Sequence, residues 1–316
     1  RLRGSERARL LRRRNEAHDG IASPRVTAHL ISAENDPDVG PVAGATAKKL
    51  RIGLHVPYAA NDVTLRIMEP SGPVLGTVIT AMGGTGTDYF TTYGTAQVIV
   101  NSLLAYGFRV IDRKWAGEGW FGVSAPFEIS HERCVLMFRW VRSNYAGRLI
   151  VLGQSGGAEE VARYLAHYDG GDVLDRAVMS CGPVMAHLQY ACGVAPPEWV
   201  DQHKKLVPPG LSIDLMHAPG GTLCPIVPVG ATRGTLVKSS LLYSGVTLRY
   251  PKTFVHFVFG RDDTTAAHAH GIKFARSVES RKTIEWAPGS HLLYESAAGR
   301  AAMLAAVVAG LKQPAV

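Results

Sequence analysis

Leu149-Ile150-Val151-Leu152-Gly153-Gln154-Ser155-Gly156-Gly157-Ala158 is an apolar run that breaks into Gly-x-Ser-x-Gly and then resumes as a helix. The four β-prone residues at its start predict a buried strand. Glu159-Glu160-Val161-Ala162-Arg163-Tyr164-Leu165-Ala166-His167-Tyr168 follows with apolar residues at helical spacing, so Ser155 stands on a tight strand-to-helix turn. Such a turn strains the serine backbone, and the glycines two residues to either side leave room for the neighbouring strand and helix. Ser155 Oγ then projects from the carboxyl edge of a sheet beside a helix N-terminus, whose partial positive charge favours a developing oxyanion. A serine placed in this way is a candidate nucleophile. The pentapeptide alone is a weak pattern, since turns use Gly and Ser freely; its weight comes from the strand before it and the helix after it.

Outward from this turn the chain keeps one rhythm. A buried strand, Gly76-Thr77-Val78-Ile79-Thr80-Ala81, precedes it and runs into Met82-Gly83-Gly84-Thr85-Gly86-Thr87; a helical pattern spans Thr95 to Ala105, then a strand Phe108 to Asp112 and a helix Glu132 to Asn144. After the Glu159 helix come strands at Arg176 to Ser180, Phe254 to Phe259 and Thr283 to Trp286, with helices around Ala266 to Val278 and Ala297 to Leu311. Repeated alternation of strand and helix specifies a mostly parallel sheet flanked by helices on both faces. Two earlier segments, Leu50 to Val56 and Val63 to Met68, alternate as antiparallel, half-exposed strands. Residues 1–49 are polar, charged and interrupted by Pro24, Pro37 and Pro41, and are expected to form a basic arm, with regular structure from Leu50. Between about Gly182 and Tyr250 the strands pause in a stretch rich in Pro, Gly, His and Met, the composition of an inserted cap.

A serine nucleophile needs a base, and the base needs an orienting carboxylate. Downstream, two strand ends offer them: Gly260-Arg261-Asp262-Asp263-Thr264 and Ala287-Pro288-Gly289-Ser290-His291. His256 lies mid-strand, and His268 and His270 lie on a helix, the positions of structural histidines; His291, in a turn just past a strand, is placed to reach the sheet edge. Either Asp262 or Asp263 can supply the acid on spacing alone.

These motifs resemble the α/β-hydrolase superfamily, over a span from about Leu50 to the C-terminus. The resemblance implies an α/β-hydrolase fold and the chain order Ser, Asp, His, with Ser155 as nucleophile and His291 as base. In that family the acid commonly stands three residues after the strand-ending glycine, which selects Asp263 and leaves Asp262 as a turn residue. One oxyanion donor is then Gly156 N–H, and the second comes from Gly84 or Thr85 in the loop that corresponds to the family's His-Gly-Gly segment, where this chain has Met82 in place of the histidine. Related dehalogenases and epoxide hydrolases use aspartate at the elbow and dienelactone hydrolases use cysteine; serine points to ester, thioester or amide cleavage. Polyester hydrolases usually carry Met where Gly156 stands, which weakens the case for a polymeric substrate without removing it. Trp115, Trp120 and Phe121 are candidates for lining an apolar acyl or aryl pocket. The expected function is a serine hydrolase acting on small-molecule or polymeric carboxylic esters, with a peptidase or amidase, or a binding protein on the same scaffold, as the alternatives.

Composition narrows the field further. With 316 residues and 46% apolar content the chain can bury a sizeable core. Its net charge of +8 owes much to Arg1, Arg3, Arg7, Arg9, Arg12, Arg13 and Arg14, a run without the aromatic interleaving of a nucleic-acid surface, so no nucleic-acid partner is expected. No transmembrane segment or signal peptide is visible, and a secreted and a cytoplasmic location both stay open. Cys134, Cys181, Cys192 and Cys224 lack C-x-x-C spacing, which argues against a zinc site; Cys192 and Cys224 either pair or stay reduced, and Cys134 is expected in the core. The chemistry calls for no metal or organic cofactor.

Overall fold

The computed structural model describes residues 28–36, 46–54, 62–83, 89–115, 129–168, 173–182, 253–263, 268–279 and 281–309. The strands are β1 (Ala28–Asn35), β2 (Thr46–Leu54), β3 (Asp62–Glu69), β4 (Gly76–Ala81), β5 (Phe108–Trp115), β6 (Arg148–Gln154), β7 (Arg176–Ser180), β8 (Phe254–Gly260) and β9 (Lys282–Ala287). The helices are α1 (Ala96–Ala105), α2 (Ile129–Asn144), α3 (Gly156–Tyr168), α4 (His268–Ser277) and α5 (Ala297–Val308). All the strands join one sheet in the order β1-β2-β3-β5-β4-β6-β7-β8-β9. Pairing is antiparallel from β1 to β5 and parallel from β5 through β4 to β9.

Burial explains the two kinds of strand. A strand covered on both faces must be apolar at every position, as the Leu149 to Leu152 run is, whereas β3 alternates between buried and half-buried residues. Successive residues of β6 serve opposite layers. Val151 packs with Val135 and Phe138 of α2, Val161 and Leu165 of α3, and Phe274 of α4. Ile150 and Leu152 pack on the other side with Ile99 and Leu103 of α1 and Met303 and Val307 of α5. The chain steps from β4 to β5 through α1, then crosses back past β4 to β6 through α2, so helices leave β4 and β6 toward opposite faces. A crevice opens at the carboxyl ends of strands where the order reverses in this way. Gly83 and Ser155 lie at those two ends.

Regular structure begins earlier than Leu50. β2 starts at Thr46 and β1 lies wholly inside the expected arm, with Ala28 opposite Leu54 and Asn35 opposite Lys48. No alternation marks β1, because every side chain after Ala28 is exposed and the strand is held by backbone hydrogen bonds at the sheet edge. Asp36, just past β1, is buried and pairs with Arg66 of β3 at 2.6 Å, which ties that edge to the rest of the sheet. The expected cap beyond Gly182 and the arginine-rich segment before Ala28 lie outside the described residues. Among the described residues, no helix is long and apolar enough to cross a membrane.

Candidate active site

Ser155 ends β6 with φ of 54°, a left-handed conformation that a residue with a Cβ adopts only under constraint. The constraint comes from close packing on both sides. A Cβ on Gly153 would stand 2.7 Å from Ala158 Cα in the helix, and one on Gly157 would stand 2.0 Å from the Ala81 carbonyl oxygen of β4. Only glycine permits that approach of strand, turn and helix. Ser155 N–H donates to the Ser180 carbonyl at 2.9 Å, fixing the turn to the neighbouring strand end. Gly83, two residues past β4, comes so near that a Cβ there would lie 2.7 Å from Gly156 N. The amide of Gly156 therefore heads α3 beside the serine, on the crevice side of β4. Gly84 and Thr85 lie outside the described residues.

Two further turns meet this elbow. Asp262 N–H donates to Gly289 O at 3.0 Å and Arg261 N–H to Ala287 O at 3.0 Å, so the turn after β8 and the turn after β9 are bonded to each other. Ser296 caps α5 by accepting from Gly299 N–H at 2.9 Å and donates to Pro288 O at 3.0 Å, which pins the Pro288 to His291 turn to that helix. The result is a chain of side chains drawn from three strand ends. His291 Nδ1 stands 3.0 Å from Asp263 Oδ2, and His291 Nε2 stands 2.7 Å from Ser155 Oγ. Asp263 is buried at 6% exposure, while Asp262 is exposed. A carboxylate only accepts, so Nδ1 carries the proton and Nε2 offers its lone pair to the serine hydroxyl. That tautomer can remove a proton from Oγ and hold it while an adjacent bond changes.

The other sequence candidates separate cleanly. His256, in β8, is buried between Arg176, which donates to Nε2, and Thr283 Oγ1 at 2.7 Å from Nδ1. Burial and then the Arg176 charge pull its pKa down to about 4, so it stays neutral. Trp115 does not line an open pocket: β5 continues through it, its ring is fully buried, and its indole N–H donates to Glu160 at 3.0 Å between the guanidinium groups of Arg113 and Arg133. Glu160 also accepts from Arg113. A tryptophan needs a partner for its N–H when buried, and this ionic cluster behind α3 supplies one. Trp120 and Phe121 lie outside the described residues. Cys134 is buried in the core as expected.

Several residues went unread in the sequence. Gln154, between Gly153 and the serine, is fully buried and donates through Nε2 to His291 O at 2.7 Å. Ser180 Oγ donates to Gln154 Oε1 at 2.7 Å. Asp112, at 0% exposure, accepts from Thr80 Oγ1, from the amides of Phe90 and Thr91, and from Thr91 Oγ1 at 2.6 to 2.9 Å. It thereby anchors the helical turn at Phe90–Thr92, the segment that follows the glycine-rich loop. The readable signal was an acidic residue directly after the apolar pair Val110-Ile111 in a strand. Sulfur, carboxylate and imidazole donors of Cys181, Asp263 and His291 lie within 4.8 Å of one another. Burial and then the charge of Asp263 push the Cys181 thiol up, so it stays protonated and this group fits a hydrogen-bonded chain better than a cation site.

No protein-family model and no curated protein matches the sequence. Solved structures do match. Esterase Est22 is 17% identical with a TM-score of 0.58, over 88% of this chain and 83% of that one. A thermostable esterase from Pseudomonas putida is 14% identical with a TM-score of 0.58, over 84% of this chain and 82% of that one. An acylaminoacyl peptidase from Pyrococcus horikoshii is 12% identical with a TM-score of 0.52, over 83% of this chain but 40% of its own. The sheet order, the helices on both faces and the strained serine turn shared out among these elements lead to one conclusion: the chain has the α/β-hydrolase fold.

Proposed function

We propose that the chain is a serine hydrolase that cleaves carboxylic esters through an acyl-enzyme. The observation that carries this reading is the His291 ring, 2.7 Å from Ser155 Oγ on one side and 3.0 Å from Asp263 Oδ2 on the other. In the proposed mechanism His291 Nε2 takes the hydroxyl proton as Oγ attacks the ester carbonyl. Asp263 keeps the ring in its reactive tautomer and stabilises the imidazolium that forms. The proton then passes to the leaving alcohol, and His291 activates the water that hydrolyses the acyl-enzyme. Negative charge on the tetrahedral oxygen meets Gly156 N–H at the head of α3, with Gly84 or Thr85 supplying the second donor. Preorganised amides are effective here because they need no reorientation as the charge develops. The mechanism uses no metal or organic cofactor.

Similarity of fold to two esterases supports the ester reading. The substrate class is a small or polymeric ester, selected by the cap at about residues 182–250, with Trp120 and Phe121 contributing apolar surface. Peptidase activity is the second reading, favoured by the likeness to an acylaminoacyl peptidase. Turnover of an aryl ester against an amino-acid anilide separates the two. Ser155→Ala should abolish hydrolysis of a short p-nitrophenyl ester while leaving the circular-dichroism spectrum intact; undiminished turnover would overturn the assignment. A wild-type protein that folds yet is not labelled at Ser155 by a fluorophosphonate would instead be a binding protein on this scaffold.

A further inference from the structure

β7 contributes no group to the proposed chemistry, yet its carboxyl end touches everything that does. The Ser180 carbonyl accepts from Ser155 N–H at 2.9 Å, and its hydroxyl donates to Gln154 Oε1 at 2.7 Å. The direction of that bond follows from the far end of the amide. His291 O can only accept, so Gln154 must present its NH₂ there, at 2.7 Å, and its oxygen to Ser180. The next residue turns the other way. Cys181 has φ of 47° and donates its own N–H to Val258 O at 3.0 Å. In that strained conformation its Sγ accepts from Gly260 N–H at 3.3 Å and lies within 4.8 Å of the Asp263 carboxylate and the His291 ring. Positive φ in a non-glycine residue persists only where surrounding contacts impose it. Here those contacts are the strand end that leads into the acid's turn.

We propose that Ser180 and Cys181 are positioning residues that set the base and the acid against Ser155: Ser180 holds the His291 backbone through Gln154, and Cys181 holds the turn that carries Asp263. Ser180, Gln154 and Cys181 are all fully buried, so water does not replace these bonds when one is removed. The thiol acts as a packed, protonated donor and acceptor toward Asp263 and Gly260 rather than as a nucleophile. A base held at two points, by Asp263 at the ring and by Gln154 at the backbone, keeps one orientation. Small displacements of a reacting group are costly, of order 100-fold in rate for about 1 Å. The proposal rests on the triad reading above.

The test is steady-state hydrolysis of p-nitrophenyl acetate by the full chain and its variants, alongside the rate of fluorophosphonate labelling of Ser155. Gln154→Met keeps the volume and loses both hydrogen bonds; kcat and the labelling rate should each fall roughly 10- to 100-fold with KM changed less than about 3-fold. Ser180→Ala should lose about 3- to 10-fold in kcat alone, and in the Gln154→Met background it should cost nothing further, because its effect runs through the amide. Cys181→Ala should lower kcat about 10-fold and Cys181→Ser should restore most of it, since a hydroxyl can serve the same partners. Wild-type kcat in Gln154→Met, or fully additive losses with Ser180→Ala, overturns the proposal. Should Gln154→Met fail to fold, the milder Ser180→Ala and the Cys181→Ala and Cys181→Ser pair decide it by the same criterion of kcat against KM. A wild-type chain that is never labelled at Ser155 sinks the triad reading, and this inference with it; a labelled wild type whose variants label equally fast sinks this inference alone.

Discussion

His291 and His256 sit in the same half of one sheet, and each has both ring nitrogens engaged, yet one lies in a turn at the strand ends and the other inside a strand. His291 lies in the turn beyond β9, where its Nδ1 meets a carboxylate and its Nε2 meets a hydroxyl. His256 lies inside β8, where its Nε2 faces the Arg176 guanidinium and its Nδ1 the Thr283 hydroxyl. A cation beside an imidazole disfavours the protonated ring. Burial is the larger cause and the Arg176 charge the second, and together they hold His256 near pKa 4. Two hydrogen bonds alone do not make a base; the sign of the neighbouring charge and the place on the strand do. Strand ends at the carboxyl edge hand their side chains to the crevice, whereas mid-strand side chains are spent on packing.

Removing each ring in turn tests the contrast with the largest effect. His291→Ala should lower kcat on an aryl ester by about 10⁶-fold, since base and nucleophile act as a unit. His256→Asn should leave kcat within about 2-fold and show itself in stability, because Arg176 loses a buried bond worth about 1 kcal/mol and Thr283 a half-buried one worth less. Comparable losses in both variants, measured with thermal melts as a check on folding, would erase the distinction.

How far the distinction was legible in the sequence depends on what each residue reports. The elbow and His291 were legible because each follows an apolar strand with a turn, whereas spacing left Asp262 and Asp263 both open and only the resemblance to the α/β-hydrolases chose between them. His256 was readable by its place in an unbroken strand. Trp115 misled, because an aromatic after a strand reads the same whether the strand stops before it or runs through it; Glu160, remote in sequence, decides that. Gln154 and Ser180 were silent for a similar reason. Their meaning lies in bonds to residues 137 and 26 positions away, and a buried glutamine has no local pattern. β1 was missed because backbone pairing at a sheet edge leaves no mark on the side chains.

Exchanging the partner rather than the ring gives a smaller effect. Asp263→Asn puts an amide beside Nδ1, allowing the tautomer with its proton on Nε2, and should lower kcat by about 10⁴-fold. Thr283→Val, the matching change at His256, removes a half-buried bond from an exposed residue; it should cost at most about 1 kcal/mol in urea unfolding and leave the ester kcat unchanged. If Asp263→Asn retained activity while Asp262→Asn lost it, the acid would be assigned to the wrong member of the pair.

The smallest effect is a slope. Because His256 has its ordinary value of 6.5 in the unfolded chain and about 4 in the fold, the unfolded state binds a proton between those limits that the folded state does not. Stability linked to this ring is therefore present above pH 6.5, falls as the pH drops through the window, and stops falling below about pH 4. The loss over the whole window is on the order of 3 kcal/mol, the free energy that a shift of this size represents. Urea midpoints from pH 8 to pH 4 for the wild type and His256→Asn should converge as acid is added, since the variant has no ring to titrate. Parallel curves would mean that neither burial nor Arg176 holds His256 neutral, and the contrast with His291 would then rest on position in the strand alone.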